Sequence, residues 1–212
     1  MMHPCAVSLR IGHVAAIVAL LAAIGAGVSC TADAEQPIEP SRHDLGEPWQ
    51  AEPFAINETV LANADRACRD LDPPPGVSLA VVDARGDSTV YLVYTGLTAQ
   101  AECLVSIKPT GQAETTGGGA SIGGLPPVPV PGEVSVVSSG STGGGVGQDV
   151  TSTVLGRAGA GVERVEVRLR NNRTITASLG PTGWFAAWWP SDEGYLTVAG
   201  FDGLGNLTGT AQ

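Results

Sequence analysis

The stretch Gly183-Trp184-Phe185-Ala186-Ala187-Trp188-Trp189-Pro190 decides the fold, because it concentrates the large rings of an aromatic-poor chain. It holds three of the four tryptophans and one of the three phenylalanines, although only 5% of all residues are aromatic. Successive side chains of a β-strand point to opposite faces, so the even-numbered residues share one face and the odd-numbered residues share the other. Both faces are apolar, which is typical of a strand covered on both sides. We therefore expect the C-terminal half to be assembled around a buried strand.

Alternating apolar and polar residues elsewhere predict further antiparallel strands, and one segment has helical spacing. The helix is expected to start after the candidate N-cap Asn57 and to end near Asp70, before the prolines of residues 73–75. The strands are expected at residues 77–84, 89–95, 102–108, 133–138, 153–156, 165–169, 175–179 and 195–201. The predicted fold class is mainly β, an antiparallel β-sandwich with one N-terminal helix, formed by a single domain over residues 53–212.

Two segments interrupt the strand pattern: residues 109–132 are rich in glycine and proline, and residues 140–148 are rich in glycine. Segments of this length inside a domain are usually functional or disordered. They contain almost no charged, histidine or aromatic residue with which to bind or react. We therefore expect mobile loops in both places.

The N-terminus has the composition of a targeting signal. Arg10 precedes an apolar run at residues 14–28 that is shorter than the roughly 20 residues of a transmembrane helix. The following Gly27-Val28-Ser29-Cys30 resembles the lipobox of bacterial lipoproteins, and the whole chain resembles bacterial lipoproteins of unknown role. That resemblance implies a signal peptide at residues 1–29, lipidation of Cys30, and attachment to the membrane through the lipid. An uncleaved anchor and ordinary signal-peptidase cleavage remain alternatives, and all three place the domain outside the cytoplasm.

Residues 30–52 comprise this cysteine and a polar, acidic segment interrupted by three prolines. This composition predicts a disordered tether. A flexible chain of this length spans about 25 Å, which suits a spacer between a lipid surface and a domain. Trp49 is the exception, and we expect it to dock onto the domain edge, with an interfacial membrane contact as the alternative.

Residues 154–156, 165–169, 174–177, 183–185 and 194–201 follow the pattern V-x-G, V-x-V-x-L, T-x-T-x, G-x-F and G-Y-L-T-V-A-G-F. This pattern resembles the carboxypeptidase-regulatory-like and transthyretin-like β-sandwich modules of secreted proteins. The insertion Ala187-Trp188-Trp189 departs from it. The resemblance implies a sandwich and carries no catalytic residues.

Histidine and cysteine usage limits the chemistry of the predicted domain. The three histidines, His3, His13 and His43, all precede residue 53, which excludes Ser-His-Asp and Cys-His catalysis and histidine-ligated metal sites in the domain. We expect no metal and no cofactor. Cys68 and Cys103 are the only cysteines of the domain, and outside the cytoplasm such a pair is expected to form a disulfide. The net charge of −10 argues against nucleic acid as a partner.

These observations favour a surface-tethered, non-enzymatic lipoprotein domain that binds a protein or another cell-envelope partner. An alternative is a carbohydrate-binding module in which Trp184, Trp188 and Trp189 form an exposed stacking platform for a glycan. A further alternative is a carboxylate-based hydrolase, which requires two carboxyls held together in a cleft. The candidate pairs are Asp70 with Asp72 and Asp83 with Asp87. The segments 83–87 and 202–206 carry oxygen ligands suited to calcium, although turn chemistry explains the same residues.

The lipobox resemblance generates a prediction about anchoring. Replacing Cys30 by Ala removes the thiol that carries the acyl chains, so the Cys30→Ala protein should be released or mislocalised. Metabolic labelling with a fatty acid should mark the parent chain and leave the variant unlabelled. Equal labelling of both proteins would contradict lipidation at this cysteine.

Overall fold

The computed structural model describes residues 48–86, 88–143 and 150–212. Of these residues, 50% lie in strands and 8% in a helix, so the predicted mainly-β class is confirmed. No helix in these three ranges is long and apolar enough to cross a membrane. The predicted signal peptide and residues 30–47, which include Cys30 and most of the predicted tether, lie outside these ranges.

The described part of the chain contains one helix and three four-stranded antiparallel sheets. The helix is α1 (Glu58–Arg69). Sheet 1 has the order β1-β2-β3-β4, sheet 2 the order β5-β6-β10-β9, and sheet 3 the order β12-β11-β7-β8. The strands are β1 (Ser78–Ala84), β2 (Thr89–Thr95), β3 (Ala99–Ile107), β4 (Ala113–Ile122), β5 (Val134–Thr142), β6 (Thr151–Ala158), β7 (Arg164–Leu169), β8 (Thr174–Thr176), β9 (Ser178–Leu179), β10 (Trp184–Trp189), β11 (Tyr195–Phe201) and β12 (Leu207–Ala211).

The tryptophan-rich strand β10 lies in the middle layer, and all six of its residues are buried. Its even-numbered side chains pack against sheet 1 in a cluster that includes Val81, Tyr91 and Leu104. Its odd-numbered side chains pack against sheet 3 in a cluster that includes Val167 and Val198. The prediction of a strand covered on both faces is confirmed.

The outer face of sheet 1 is covered by α1. Asn57 caps the helix, its side chain accepting a hydrogen bond from the backbone N–H of Val60 at 2.9 Å, as a good N-cap does. Ala64 and Cys68 are the buried residues of α1, and they pack against β2 and β3. The predicted disulfide is confirmed, because Cys68 is bonded to Cys103 of β3. The layers therefore run helix, sheet 1, sheet 2, sheet 3.

The end of the predicted tether belongs to the domain. Trp49 packs edge-on against Trp188 with ring centroids 6.4 Å apart, which confirms that it docks. The backbone N–H of Gln50 donates to the carbonyl of Arg85 at 2.7 Å, and the N–H of Thr176 donates to the carbonyl of Ala51 at 3.1 Å. The prediction that residues 48–52 are tether is therefore wrong, because their backbone groups find partners between sheets 1 and 3.

A fully buried ion pair joins the layers next to this segment. Asp83 accepts hydrogen bonds from Nε of Arg85 at 2.7 Å and from its Nη2 at 2.9 Å. The same carboxylate accepts from the Ser178 hydroxyl at 2.6 Å and from the backbone N–H of Trp188 at 3.1 Å. The guanidinium also donates to the carbonyls of Ala51 and Thr176. Both charges are thus compensated, which a buried pair requires.

The structure corrects the loop predicted at residues 109–132, since Ala113–Ile122 of that segment forms β4. Its register pairs Gly118 with Cys103 and Ala120 with Ala101. Glycine has low strand propensity, but a ladder partner satisfies its backbone groups whatever its side chain. The second predicted loop, 140–148, begins inside β5 (Val134–Thr142), and residues 144–148 of it lie outside the described residues.

Close packing across β6 and β10 generates a prediction about Gly156. A Cβ at this position would lie 2.1 Å from Cζ of Phe185 and 2.3 Å from the carbonyl oxygen of Ser135. Gly156→Ala should therefore lower the free energy of unfolding by about 3 kcal/mol, the upper range for overpacking. Gly140→Ala is the matched control, because nothing lies within 4 Å of its Cβ position; we expect a change within about 0.5 kcal/mol. Equal denaturant midpoints for the two variants would contradict the packing.

Candidate functional site

The three tryptophans predicted as a glycan platform are core residues. Trp184, Trp188 and Trp189 are 2%, 1% and 2% exposed. Stacking on a sugar ring needs an open ring face, and both faces of β10 are covered by other sheets. The platform prediction is therefore wrong, because the three rings pack between sheet 2 and its neighbours: Trp184 and Trp188 against sheet 1, and Trp189 against sheet 3.

The predicted carboxylate pairs are dispersed among structural roles. Asp70 is the C-cap of α1, and its backbone N–H donates to the carbonyl of Arg66 at 3.1 Å. Asp72 has a left-handed backbone with φ of 53° in the segment after the helix. Asp83 is held by Arg85, and Asp87 lies outside the described residues. The structure does not bring the described members of these pairs into a common cleft.

The candidate calcium turn at residues 202–206 is closed by its own hydrogen bonds. Asp202 accepts from the backbone N–H of Leu204 at 2.9 Å and from that of Asn206 at 2.8 Å. Hydrogen bonds from Asn206 hold the pKa of Asp202 below its ordinary value. Across the ranges described above, no group of three or more His, Cys, Asp and Glu side chains is arranged to hold a metal ion. Turn chemistry explains this carboxylate.

Two tyrosines of sheet 1 are paired with carboxylates. Tyr94 donates to Asp65 of α1 at 2.9 Å, and Arg69 donates to the same carboxylate at 2.8 Å. Burial tends to raise the pKa of Asp65, but the hydrogen bonds from Arg69 and Tyr94 outweigh it and leave the pKa below its ordinary value. On the opposite face, Tyr91 donates to Glu102, and burial together with this carboxylate raises the pKa of Tyr91 well above its ordinary value. These pairs fasten the helix to sheet 1 and fill the space between sheets 1 and 2.

A surface recess of about 430 Å³ is polar and opens between β5, β6 and the start of β11. Two of its hydroxyls are paired within the protein: the Ser141 and Ser152 oxygens are 2.8 Å apart, and Ser152 donates to the carbonyl of Ser191 at 2.6 Å. The indole N–H of Trp189 donates to the carbonyl of Glu193 at 2.7 Å. These three polar groups of the recess therefore already have partners within the protein.

The second recess, about 280 Å³, is apolar and lies beside the disulfide. It is bounded by the end of α1 and by the faces of β2, β3 and β4 that point towards the helix. Its apolar lining comprises Cys68, Leu71, Pro73, Tyr94, Ala101 and Cys103, with Gly118 and Ala120 of β4 on the open side. Leu71 forms the outer lip and is 55% exposed. We call this recess the disulfide pocket.

The glycine-rich sequence of β4 keeps the disulfide pocket open. A Cβ at Gly118 would lie 3.4 Å from Cδ1 of Leu71 and 2.8 Å from the carbonyl oxygen of Glu102. A side chain at this position would therefore narrow the pocket and press on β3. Glycine is therefore needed at position 118 for the space that it leaves. Gly118 lies in a strand, so it is not needed there for a turn conformation.

The outer edge of β4 adjoins the pocket. β4 is the last strand of sheet 1, and no other described strand is hydrogen-bonded to its outer side. Residues 118–122 are all exposed. Natural edge strands are commonly protected by proline, lysine or a covering element, and residues 113–122 contain neither proline nor lysine. The pocket and this edge together form the candidate binding site.

The sequence predicts the disulfide side of this site but not the strand side. The bond between Cys68 and Cys103 is predictable from the sequence, whereas residues 117–119 lie in the segment 109–132 that is predicted to be a loop, since three consecutive glycines have low strand propensity. The available signal was the flanking sequence, since Ala113–Thr116 and Ala120–Ile122 are both acceptable in a strand.

Comparison with known proteins finds no matching protein-family model, no matching curated protein and no matching solved structure. The resemblance to lipoproteins and to transthyretin-like modules therefore stays a prediction.

The disulfide generates a prediction about local stability. α1 fully buries only Ala64 and Cys68, so little apolar burial offsets the entropy of ordering the helix. Replacing Cys68 and Cys103 by Ala should lower the melting temperature by several degrees and increase hydrogen exchange in α1 first. Tryptophan fluorescence serves as the internal control and should persist, because β10 lies one sheet away. Two free thiols in the oxidised parent chain, or loss of the tryptophan signal together with α1, would contradict the prediction.

Proposed function

We propose that this chain is a surface-tethered, non-enzymatic lipoprotein domain that binds a protein of the cell envelope. The observation that carries the proposal is that the disulfide pocket opens directly beside the outer edge of β4, with which no other described strand pairs. An apolar recess bordered by exposed backbone donors and acceptors is suited to a protein segment, which offers both kinds of contact.

The predicted location supports this proposal. The lipobox resemblance implies a lipid on Cys30, and residues 31–47 supply a polar spacer before the docked segment at Trp49. The bond between Cys68 and Cys103 suits an oxidising compartment. The membrane is thus a partner through the anchor, and nucleic acid is disfavoured by the net charge of −10.

The occupation of the polar groups supports a binding role over a catalytic one. Asp83, Glu102 and Asp65 each accept a hydrogen bond from a neighbouring Arg or Tyr side chain. Residues 48–212 contain no histidine to act as a general base near neutral pH. An envelope protein fits the site better than a glycan, because the lining of the disulfide pocket is mainly apolar.

Site-specific cross-linking in the producing cell tests the proposal. A photoreactive amino acid at Ser121, exposed on β4, should give a defined adduct with an envelope protein. The same residue at Thr174, exposed on the edge strand β8 of sheet 3, is the matched control and should not. Adding Leu71→Asp, which places a charge on the pocket lip, should abolish the adduct. Identical adducts from both positions, or none from Ser121, would count against partner binding at β4.

A further inference from the structure

We infer that the disulfide pocket and the edge of β4 together bind an extended segment of the partner protein, which adds a fifth strand to sheet 1 and inserts one large apolar side chain into the pocket. This inference rests on the proposed function and specifies the chemistry of the partner. The segment is extended, carries leucine or a residue of similar size at one position, and is neutral or basic around it.

Backbone pairing is the first component. Residues 118–122 are exposed along the outer side of β4 and form a regular ladder with β3 on the inner side, with Gly118 opposite Cys103 and Ile122 opposite Ala99. The register irregularity of β4 lies before this section, between the pairs formed by Leu104 and Val105. A regular, exposed edge of five residues offers the alternating donors and acceptors that an added strand uses.

The position of the pocket supplies the second component. Gly118 and Ala120 lie opposite Cys103 and Ala101, whose side chains belong to the core cluster under α1. Their Cα–Cβ directions therefore point to the helix side of sheet 1, where the pocket lies. A residue of an added strand opposite Gly118 or Ala120 points to that same side. Because glycine and alanine leave little bulk in between, its side chain reaches the pocket over the edge of β4.

Charge narrows the partner further. Asp72 lines the pocket and is exposed, whereas the carboxylate of Glu114 on β4 is paired with Lys108. The whole chain carries a net charge of −10. An acidic segment would be repelled at this edge, whereas lysines flanking the apolar residue would be attracted. The same acidity disfavours a second copy of this chain as the occupant.

A defined peptide tests the inference. The probe is acetyl-Thr-Lys-Thr-Leu-Thr-Lys-Thr-amide, added to the full chain in lipid nanodiscs, with empty nanodiscs as the reference. Replacing its Leu by Ser should weaken binding about tenfold or more, the change expected for losing a buried leucine side chain. Hydrogen exchange should slow at residues 118–122 when the parent peptide is bound.

Matched variants separate the two faces of β4. Ala120→Leu places bulk on the pocket side and should weaken binding about tenfold. Ser121→Leu adds the same side chain on the opposite face of the strand and leaves the pocket side unchanged, so it should weaken binding clearly less than Ala120→Leu does. Leu71→Ser removes the exposed lip without altering the sheet, so it tests the pocket even if Ala120→Leu folds poorly. Backbone pairing is tested with two peptides that are N-methylated at alternate residues. Alternate N–H groups of a strand point to opposite edges, so only the peptide whose methyl groups replace the N–H groups facing β4 should lose binding.

Each contrary outcome overturns the inference. No binding of the parent peptide at about millimolar concentration, equal effects of Ala120→Leu and Ser121→Leu, or undiminished binding of both N-methylated peptides would each do so, as would dimerisation of the chain through β4. If the cross-link from Ser121 forms but the peptide does not bind, the proposed function stands and only the strand-addition mode is rejected. If neither the cross-link nor peptide binding is observed, the proposed function and this inference are both rejected.

Discussion

The domain depends on the burial of β10 on both faces. A strand with large rings on both sides exposes apolar surface in any two-layer sandwich, since only one side of each sheet then meets the core. Here sheet 1 covers Trp184 and Trp188, and sheet 3 covers Phe185 and Trp189. The three-sheet stack follows from this requirement. Gly156 reflects the same constraint, because β6 leaves the space that the Phe185 ring occupies.

The ion pair of Asp83 and Arg85 complements this apolar packing. Hydrophobic contacts between sheets are non-directional, whereas the pair specifies which backbone groups meet. Its hydrogen bonds connect β1 with β9 and β10, and they hold the carbonyls of Ala51 and Thr176. Burying two charges has a large desolvation cost, which is offset only when every polar atom is well placed. The segment beginning at residue 48 is therefore part of the core arrangement, and the predicted tether meets the domain where layers join.

The candidate site lies on the side of sheet 1 that faces α1 and points away from β10. Sheet 1 is covered by a single short helix, and Cys68 fastens that helix to β3 through a covalent bond. A recess remains beside the disulfide, between the residues that follow α1 and strands β2, β3 and β4. The same sheet ends in the glycine-rich strand β4, whose outer edge is hydrogen-bonded to no other strand among residues 48–86, 88–143 and 150–212. The disulfide thus holds α1 on sheet 1 although the helix fully buries only two residues. The recess beside the disulfide leaves room for a ligand.

Part of this structure was determined by the sequence alone, because it depends on local pattern. The period-2 apolar residues of β10 required cover on both sides, Asn57 marked the start of α1, and the isolation of Cys68 and Cys103 specified the disulfide. The tertiary structure alone decided the rest. Residues 117–119 became a strand because β3 offered backbone partners. The backbone groups of residues 50 and 51 paired with Arg85 and Thr176, and the three tryptophans of β10 became core residues. Each of these outcomes depends on residues that are distant in sequence. Local composition therefore does not predict which group a backbone amide or an aromatic ring will contact.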